Sequence, residues 1–299
     1  QEVIFVRNSR ITPLYYYDDD YPIRLKHCVD SPLLLYYKGV ENFMQKKMLA
    51  IVGTRQASPY GRRVCEEIIK GFVGDDVLII SGMAYGIDSC AHRKALSYGL
   101  NTVGVLGHGL DRIYPMENRS MAVRMLKQGG LITEFLSNSK PDRENFPKRN
   151  RIIAGLSDAV LVVESAKKGG AVITADIANS YNRDVFAVPG KVHDKFSDGC
   201  HLLIRRNIAA LARSADDIRY SMGWEGPAVK KKNQAELLKR HSPDEQKILS
   251  IITEKIRASV DDIVIICGLG ALKTASVLLK LEFEGVITAL PGKLYEIRR

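Results

Sequence analysis

The chain has 299 residues, which corresponds to about two domains at roughly 150 residues each. Hydrophobic residues make up 45% and charged residues 26%, a balance that excludes disorder as the main state, and no apolar run approaches the roughly 18 to 20 residues of a membrane span. Forty-four lysines and arginines against 34 acidic residues leave a net charge of +10, which favours a polyanionic partner such as nucleic acid.

The five cysteines are scattered and form no CxxC pair, so the sequence predicts neither a disulfide framework nor a zinc site. Buried thiols in a reducing cytosol are the simplest interpretation, and we expect a cytoplasmic protein. No signal peptide is visible, but the chain begins at Gln1 rather than Met, so this absence is only partial evidence.

Residues 1–45 show little periodicity and predict an N-terminal extension that packs on the core. Three successive tyrosines, Tyr15 to Tyr17, begin a polar stretch that is typical of a loop, and an extra strand is expected at 33–37. The tyrosines either stack on bases or pack on the domain surface, and packing is the more common role of such a cluster.

Short runs rich in Val, Ile and Leu alternate with amphipathic segments over residues 46–222. Such runs suit strands covered on both faces, and the alternation predicts an α/β domain with a Rossmann-like, doubly wound, mostly parallel sheet. Ser58 before Pro59 is a clear helix start. The predicted strands are 49–52, 77–80, 102–106, 131–133, 159–163 and 185–188.

Residues 223–241 predict a linker, because Gly223, Gly226 and Pro227 disfavour regular structure and Lys230 to Lys232 form a solvated charge run. The pattern of residues 242–299 predicts a small C-terminal winged-helix domain. Its helices are expected at 243–255, after Ser259 and at 271–284, with a hairpin of strands 286–290 and 293–297.

Charge argues against the winged helix as a reader of duplex DNA. Eight basic and eight acidic side chains cancel within residues 242–299, and the third helix carries Lys273 and Lys280 beside Glu282 and Glu284. Because duplex readers depend on cations against phosphate, a protein-contact or regulatory role is favoured over duplex binding. The net positive charge therefore lies in residues 1–241.

Chemistry is expected at the carboxyl ends of the parallel strands, where ligands of open sheets bind. Glycine-rich turns and free cations follow several of these strands and predict an anion-binding rim. Neither G-x-G-x-x-G nor G-x-x-x-x-G-K-[ST] is present, so a dinucleotide or ATP site has little support. The residues of this predicted rim are Gly53, Thr54, Arg55, Ser58, Gly82, Glu164, Lys167, Lys168, Gly169 and Gly170.

A dense basic stretch lies beside Phe146. Lys148, Arg149 and Arg151 fall near the start of a predicted helix, where side-chain charge and helix dipole act together on a phosphate. Phe146 can stack on a base, which is worth about 1 to 3 kcal/mol; the alternative is a solvated basic helix start with Phe146 buried. Because apolar residues further along already supply a core face, nucleic-acid contact is favoured.

Several titratable side chains stand near these turns. Asp88 and His92 are four apart on a predicted helix, and without an accompanying nucleophile they are expected to form a hydrogen-bonded structural pair. Glu134 and Glu164 end strands, where they accept from a sugar or base, orient arginines, or form a hydrolytic pair. His108 is expected to make a polar contact in a loop.

In order along the chain, these motifs resemble the DprA/Smf family of DNA-processing proteins. The match runs from about Tyr21 to Ile297, and so many motifs in order make it highly specific. The motifs that carry it are Gly53-Thr54-Arg55 with Ser58, Ser81-Gly82 with Gly86-Ile87-Asp88, Leu106 to Pro115, Phe146-Pro147-Lys148-Arg149-Asn150-Arg151, Gly169 to Ala175, Pro189-Gly190, and Ser197 with Gly199.

The resemblance implies a Rossmann-like core that binds single-stranded DNA in a basic pocket, forms homodimers and passes the strand to the RecA recombinase during natural transformation. It implies a non-enzymatic mediator that requires no metal or nucleotide. The further contacts predicted on this ground are Asn150, Thr174, Ser197, Gly199 and His201.

The chain also departs from the family pattern. Gly169-Gly170-Ala171 stands where the family usually has Ser-Gly-Ser, which removes two hydroxyl donors, and the loop residue His201 replaces a usual Asn. Asn207-Ile208 replaces a usual Gly-Ala. The N-terminal helical domain of many members is not visible. These departures affect single pocket contacts and not the predicted fold.

The predicted function is therefore a single-stranded DNA-binding protein that protects incoming strands and loads RecA. The alternative from another class is a nucleotide-processing enzyme similar to phosphoribohydrolases, with Glu164 acting on a nucleoside monophosphate. Basic charge and the segment Phe146–Arg151 favour a polymer as the ligand. A duplex-binding regulator is disfavoured by the neutral winged helix.

Overall fold

The computed structural model describes residues 1–43, 47–224, 242–255, 258–284, 286–290, 292 and 294–297. The chain divides into two compact units, Gln1–Trp224 and Glu225–Arg299. Most of the predicted linker, with its lysine run, lies outside the described residues, as do Pro291 and Lys293 of the predicted hairpin.

One sheet organises the first unit. Its strands are β1 (Thr12–Tyr15), β2 (Leu34–Gly39), β3 (Lys47–Val52), β4 (Val77–Ser81), β5 (Thr102–Val105), β6 (Gly129–Thr133), β7 (Ala159–Val162), β8 (Asp184–Ala187) and β9 (Ala210–Leu211). Their order is β1-β2-β6-β5-β4-β3-β7-β8-β9. Neighbours from β3 to β9 pair in parallel, while β1 and β2 extend the β6 edge antiparallel. The predicted mostly parallel α/β fold is confirmed.

Helices cover both faces of this sheet. They are α1 (Glu2–Asn8), α2 (Ile23–Lys26), α3 (Pro59–Gly71), α4 (Ile87–Ser97), α5 (Arg119–Met125), α6 (Asn145–Leu156), α7 (Gly170–Ser180), α8 (Asp198–Arg205) and α9 (Ala215–Met222). Leu49 and Ile51 of β3 pack with α3 and α4, whereas Met48, Ala50 and Val52 pack with α6 and α7. Both faces of β3 are therefore buried, which is why its sequence is a continuous apolar run.

The strand order creates a switch point at β3. The chain moves from β3 through β4 and β5 to β6 on one side, and then returns to place β7 on the other side of β3. The loops that leave β3 and β7 consequently turn toward opposite faces. In open α/β sheets such a point opens a crevice beyond the carboxyl ends of the strands.

The N-terminal region is more regular than the sequence predicted. Tyr15, expected in a loop, lies in β1, whose partner β2 is the extra strand that was expected. The tyrosine rings contact one another, with centroids 5.2 Å apart for Tyr16 and Tyr17 and 5.5 Å apart for Tyr16 and the buried Tyr21. The backbone N–H and C=O groups of β1 find hydrogen-bond partners in β2. The local composition of this segment does not show that such a partner exists.

The described residues of the second unit form three helices and a small sheet. They are α10 (Pro243–Lys255), α11 (Val260–Cys267), α12 (Ala271–Phe283), β10 (Ala258–Ser259), β11 (Ile287–Leu290) and β12 (Leu294–Ile297), and the sheet order is β10-β12-β11. Ser259 Oγ accepts from Asp262 N at 3.1 Å and so caps α11. Ile248, Leu278 and Ile287 are buried in the core that joins the helices to the sheet.

No single helix among the described residues is both long and apolar enough to cross a membrane. Taken together, α11 and α12 have the length and apolar composition of a membrane span, but the pair is bent by 116° at the break between the two helices. All five cysteines are buried and unpaired, as the scattered spacing predicted.

Candidate nucleic-acid interface

A small cleft of about 80 Å³ opens at the carboxyl edge of the sheet, on the β5 side of β3. Turns after β3, β4 and β5 meet the start of α6 there, as the parallel topology requires. Its lining mixes aromatic, apolar and cationic side chains. The cleft consists of Arg55, Met83, Ala84, Tyr85, Leu106, Gly107, His108, Tyr114, Pro115, Phe146 and Arg149.

Arg55 and Phe146 form the outer part of the cleft. The guanidinium carbon of Arg55 lies 5.2 Å from the centroid of the Phe146 ring, and the rings of Phe146 and Tyr114 are 6.5 Å apart. Arg55 is exposed and Phe146 half-buried. A cation–ring contact at the protein surface contributes about 0.5 to 1 kcal/mol, so this pairing positions Arg55 and leaves it able to meet an anion.

Arg149 lies at the floor of the cleft. The residue is 5% exposed, and its Nη1 donates to Val105 O at 2.6 Å while its Nε donates to Asn150 Oδ1 at 3.2 Å. A Cβ at Gly82 would stand 2.4 Å from both Arg149 Nη1 and Asp88 Oδ2, so a glycine is needed there. Burial lowers the pKa of the Arg149 guanidinium, which the Asp88 carboxylate opposes. Phosphate contact by Arg149 stays a prediction.

The predicted hydrogen-bonded pair of Asp88 and His92 is wrong. His92 Nε2 lies 2.7 Å from Gly82 O and Nδ1 lies 2.7 Å from Thr102 Oγ1, so both ring nitrogens are engaged elsewhere. Asp88 Oδ2 accepts from Ala84 N at 3.3 Å. A spacing of four residues places Asp88 and His92 on the same face of α4, but the Asp88 carboxylate bonds to the loop that precedes the helix. Burial raises the pKa of Asp88 to about 6 and lowers the pKa of His92 to about 4.

The two remaining cations of α6 differ in their availability. Lys148 is exposed. Arg151 donates to Glu134 Oε2 and to Asp30 O, so its charge is already balanced by a carboxylate. Burial raises the pKa of Glu134, and Arg151 opposes that shift. Of the two, Lys148 is the cation that can serve a phosphate without breaking an ion pair.

Glu164 joins the loop after β3 to the end of β7. It is 1% exposed, and both carboxylate oxygens accept from Ser58, one from the amide and one from the hydroxyl. Thr54 N donates to Glu164 O at 2.7 Å. A Cβ at Gly53 would stand 2.5 Å from Ile87 Cγ1, so this glycine lets the loop pack on α4. These contacts fix the position of the loop that carries Arg55.

The two glycines of the turn before α7 differ in their availability. The Gly169 amide donates to Ala166 O at 2.8 Å and is therefore engaged within the turn, and contact of Gly169 with a strand stays a prediction. Gly170 is exposed at the start of α7, and no atom lies within 4 Å of where its Cβ would stand. Lys167 and Lys168 are exposed just before it. This helix start therefore remains open to a phosphate.

The remaining predicted contacts make hydrogen bonds within the protein. Thr174 Oγ1 donates to Gly170 O at 3.1 Å, and Gly199 N donates to Ser165 O at 2.8 Å. Ser197 is buried and donates to an aspartate, Asp194, at 2.8 Å. The prediction placed His201 in a loop, but the residue lies in helix α8. Its Nε2 is 3.1 Å from Gly190 O. Direct DNA contact by these residues stays a prediction.

Two aromatic residues of the cleft were missed. Tyr85 is 45% exposed and Tyr114 is 50% exposed. Both follow strands, and a search for aromatics after each strand would have found them. The described residues include no group of three or more His, Cys, Asp or Glu placed to hold a metal ion.

The fold and the cleft define a Rossmann-like protein with a basic, aromatic interface at the carboxyl edge of its sheet. Residues 12–223 match the family model of DNA recombination-mediator protein A, and residues 232–293 match the DprA winged helix domain. The chain therefore belongs to the DNA recombination-mediator protein A family, which confirms the resemblance to DprA/Smf proteins and the predicted winged helix.

Curated relatives cover most of the chain. It is 36% identical to Protein Smf of Synechocystis over 315 residues, covering 94% of this chain and 79% of that protein. It is 40% identical to DNA processing protein DprA of Streptococcus pneumoniae over 201 residues, covering 67% of this chain and 71% of the relative. The role shared by this family is DNA processing as a recombination mediator.

Two solved structures are similar to more than two thirds of this chain. The X-ray structure of Streptococcus pneumoniae DprA superposes with a TM-score of 0.68 at 36% identity, covering 73% of this chain and 77% of that one. DNA processing protein A of Helicobacter pylori, in a structure that concerns its single-stranded DNA binding mode, superposes with a TM-score of 0.64 at 25% identity and covers 71% of this chain and 95% of that one.

Proposed function

We propose that this chain binds single-stranded DNA at the cleft, protects the strand and loads a RecA recombinase onto it, without catalysing a reaction. The observation that carries the proposal is the Arg55–Phe146 pair, with Lys148 exposed on the helix that carries Phe146. Only an unpaired strand presents base faces to an aromatic ring beside phosphates for a cation.

Family membership supports the same conclusion. The relatives are named as DNA-processing proteins, and the Helicobacter pylori structure concerns single-stranded DNA. Phosphate contacts without a groove-reading element at the cleft give little sequence preference and a steep dependence on salt. A homodimer would double the cleft and raise the affinity for long strands through effective concentration. A recombination mediator of this kind would work in the cytoplasm.

Glu164 weighs against the phosphoribohydrolase alternative. Its carboxylate is buried and both oxygens are engaged by Ser58, so it is poorly placed to act on a nucleotide. A general acid or base must reach the reacting group within hydrogen-bond distance. The carboxylate instead has a structural task that explains its position at the end of β7.

The test is a titration of single strand, duplex and mononucleotide at several salt concentrations. We expect preference for the single strand, no turnover of the mononucleotide, and weaker binding by Arg55→Ala and Lys148→Ala. Arg124→Ala, a change of an exposed cation on α5, is the matched control. Arg149→Ala is a poor probe, since it leaves Val105 O and Asp88 without their buried partner. Duplex preference or turnover would overturn the proposal.

The recombinase step has its own measurement. We expect the chain to shorten the delay before RecA filaments form on a single strand covered by a competing binding protein. Arg55→Ala should lose most of this effect at concentrations where the wild type saturates the strand. Filament formation at the same rate with and without the chain would remove the RecA step and leave strand binding untouched.

A further inference from the structure

A second depression, here called the groove, lies beside the cleft on the face of the sheet covered by α3 and α4. It measures about 750 Å³ and is lined by the first turns of α3, by α4 and by the loop after β3. Five cations and one carboxylate, Glu66, face it. The cations are Arg55, Arg62, Arg63, Arg93 and Lys94.

Most of this positive charge is not neutralised. Glu66 accepts from Lys94 Nζ at 2.7 Å and from the Tyr98 hydroxyl at 2.8 Å, so it is already shared. Arg93 is exposed and donates to the neutral amide oxygen of Asn118 at 3.3 Å, and Arg62 is exposed. Within the described part of the chain, no carboxylate pairs with Arg62 or Arg93.

The remaining arginine of the groove is weakly paired. Arg63 Nε is 3.8 Å from Glu67 Oε1, and both side chains are more than 60% exposed. Exposed pairs of this kind are weak, because water screens both charges, and they are readily exchanged for another anion. Three arginines on two adjacent helices are therefore free to bind phosphate, and their planar forks suit it.

The groove is continuous with the cleft. Arg55 and Tyr85 line both, with Arg55 held over Phe146 on the cleft side. The Tyr85 hydroxyl donates to Glu117 Oε2 at 2.7 Å, which leaves its ring at the junction. Arg62 and Arg93 line the groove but not the cleft. A mononucleotide held by the cleft lining would therefore not contact them, whereas a polymer that leaves the cleft past Arg55 would.

We propose that the groove between α3 and α4 holds the phosphodiester backbone of the same single strand that enters the cleft. This inference rests on the proposed function and extends it, since it assigns a path beyond the cleft. Regularly spaced phosphates match several guanidinium groups on neighbouring helices, and each neutralised phosphate adds about 0.7 to the salt dependence of single-strand binding.

The experiment compares two double variants with the wild type. Arg62→Ala/Arg93→Ala removes two cations of the groove, and Arg124→Ala/Lys127→Ala removes two exposed cations at the end of α5, near the amino edge of the sheet. Both are titrated with oligothymidylates of about 16 and about 4 nucleotides, which span the site sizes known for OB folds that bind single strands. Circular dichroism confirms that each variant is folded.

The groove variant should bind the longer strand about 10-fold more weakly at low salt, with a salt slope smaller by about 1.4, and should bind the shorter strand as the wild type does. The α5 variant should bind both strands normally. Unchanged binding of the longer strand by the groove variant, with normal wild-type binding, would overturn the groove path alone. Failure of the wild type to bind either strand would overturn the proposed function itself. If polyglutamate displaces the longer strand when it is added at the same concentration of negative charge, the groove proposal is overturned and an acidic protein becomes its ligand instead.

Discussion

Glu164 and Ser58 are bonded twice across the switch point of the sheet. Ser58 N donates to Glu164 Oε2 at 2.9 Å, and the Ser58 hydroxyl donates to Oε1. The same hydroxyl accepts from Gly61 N at 3.0 Å and so caps α3. One buried carboxylate therefore connects the end of β7 to the start of α3, and it sets the loop that carries Arg55 to the cleft.

Replacing Glu164 by glutamine should lower the free energy of unfolding by about 1 to 3 kcal/mol. A neutral amide has one acceptor oxygen, so it leaves one of the two Ser58 donors without a buried partner. Urea denaturation measures the change. Glu144→Gln, at an exposed position before α6, is the control and should leave stability within about 0.5 kcal/mol of wild type. Equal stability of both variants would contradict the structural role of Glu164.

Replacing Phe146 by leucine should weaken binding of a single strand by about 1 to 3 kcal/mol, because it removes the aromatic face that stacks on a base. Phe146 packs against Gly107: its Cδ1 lies 3.2 Å from the position that a Cβ on Gly107 would take. Leucine keeps an apolar side chain at this contact, so the fold should persist. Phe146→Tyr retains the ring and should bind normally. Fluorescence anisotropy with a labelled strand gives the affinities, and equal affinity of the two variants would exclude stacking.

Asp88 and His92 should contribute to stability with opposite dependence on pH. Burial raises the pKa of Asp88 from 3.8 to about 6, so its contribution is present below pH 3.8 and is lost as pH rises through 6. Burial lowers the pKa of His92 from 6.5 to about 4, so its contribution is present above pH 6.5 and is lost as pH falls through 4. In the wild type, the pH dependences that these two residues give to the unfolding free energy nearly cancel between pH 4 and pH 6.

Single variants separate the two contributions. The difference in unfolding free energy, wild type minus Asp88→Asn, should fall between pH 4 and pH 6, while wild type minus His92→Gln should rise over about the same range. Urea unfolding at intervals of pH gives both curves, and other titrating groups cancel in each difference. Slopes of the same sign would show that burial does not control these two groups.

The winged helix should contribute little to nucleic-acid binding. Within this unit, Lys273 Nζ lies 2.6 Å from Asp244 Oδ2 and Lys280 Nζ lies 2.7 Å from Glu245 Oε1, so both lysines of α12 are paired with acids of α10. The double change Lys273→Ala/Lys280→Ala should alter duplex affinity less than about twofold and leave the salt slope unchanged. A drop in the salt slope of about 2 would instead make this helix a DNA contact.

The layout of the first unit was largely readable from local sequence. Continuous apolar runs such as Leu49–Val52 can satisfy their backbone only inside a sheet covered on both faces, so their position along the chain was predictable. Helix starts such as Ser58-Pro59 were visible because caps are local interactions. β1 was missed, since only its pairing with β2 makes that segment a strand.

The basic stretch after Phe146 shows the limit of that approach. Lys148, Arg149 and Arg151 have the same charge and lie within one helical turn, and the sequence treats them alike. In the structure Lys148 is exposed, Arg149 is buried against Val105 O, and Arg151 is paired with Glu134. Their availability depends on residues far along the chain, which helical spacing does not specify.

By itself, the sequence determined the order of strands β3 to β8 and of the helices that alternate with them, the carboxyl edge as the predicted place of binding, the positive charge of residues 1–241 and the neutrality of residues 242–299. Those properties follow from hydrophobic periodicity, caps and the sum of charges, all of which are additive along the chain. Only the tertiary structure decided which cations are free, that Glu164 serves Ser58, and that arginines of α3 and α4 share one groove. These depend on side chains that approach through space, and a charge is available to a ligand only where no nearer partner neutralises it.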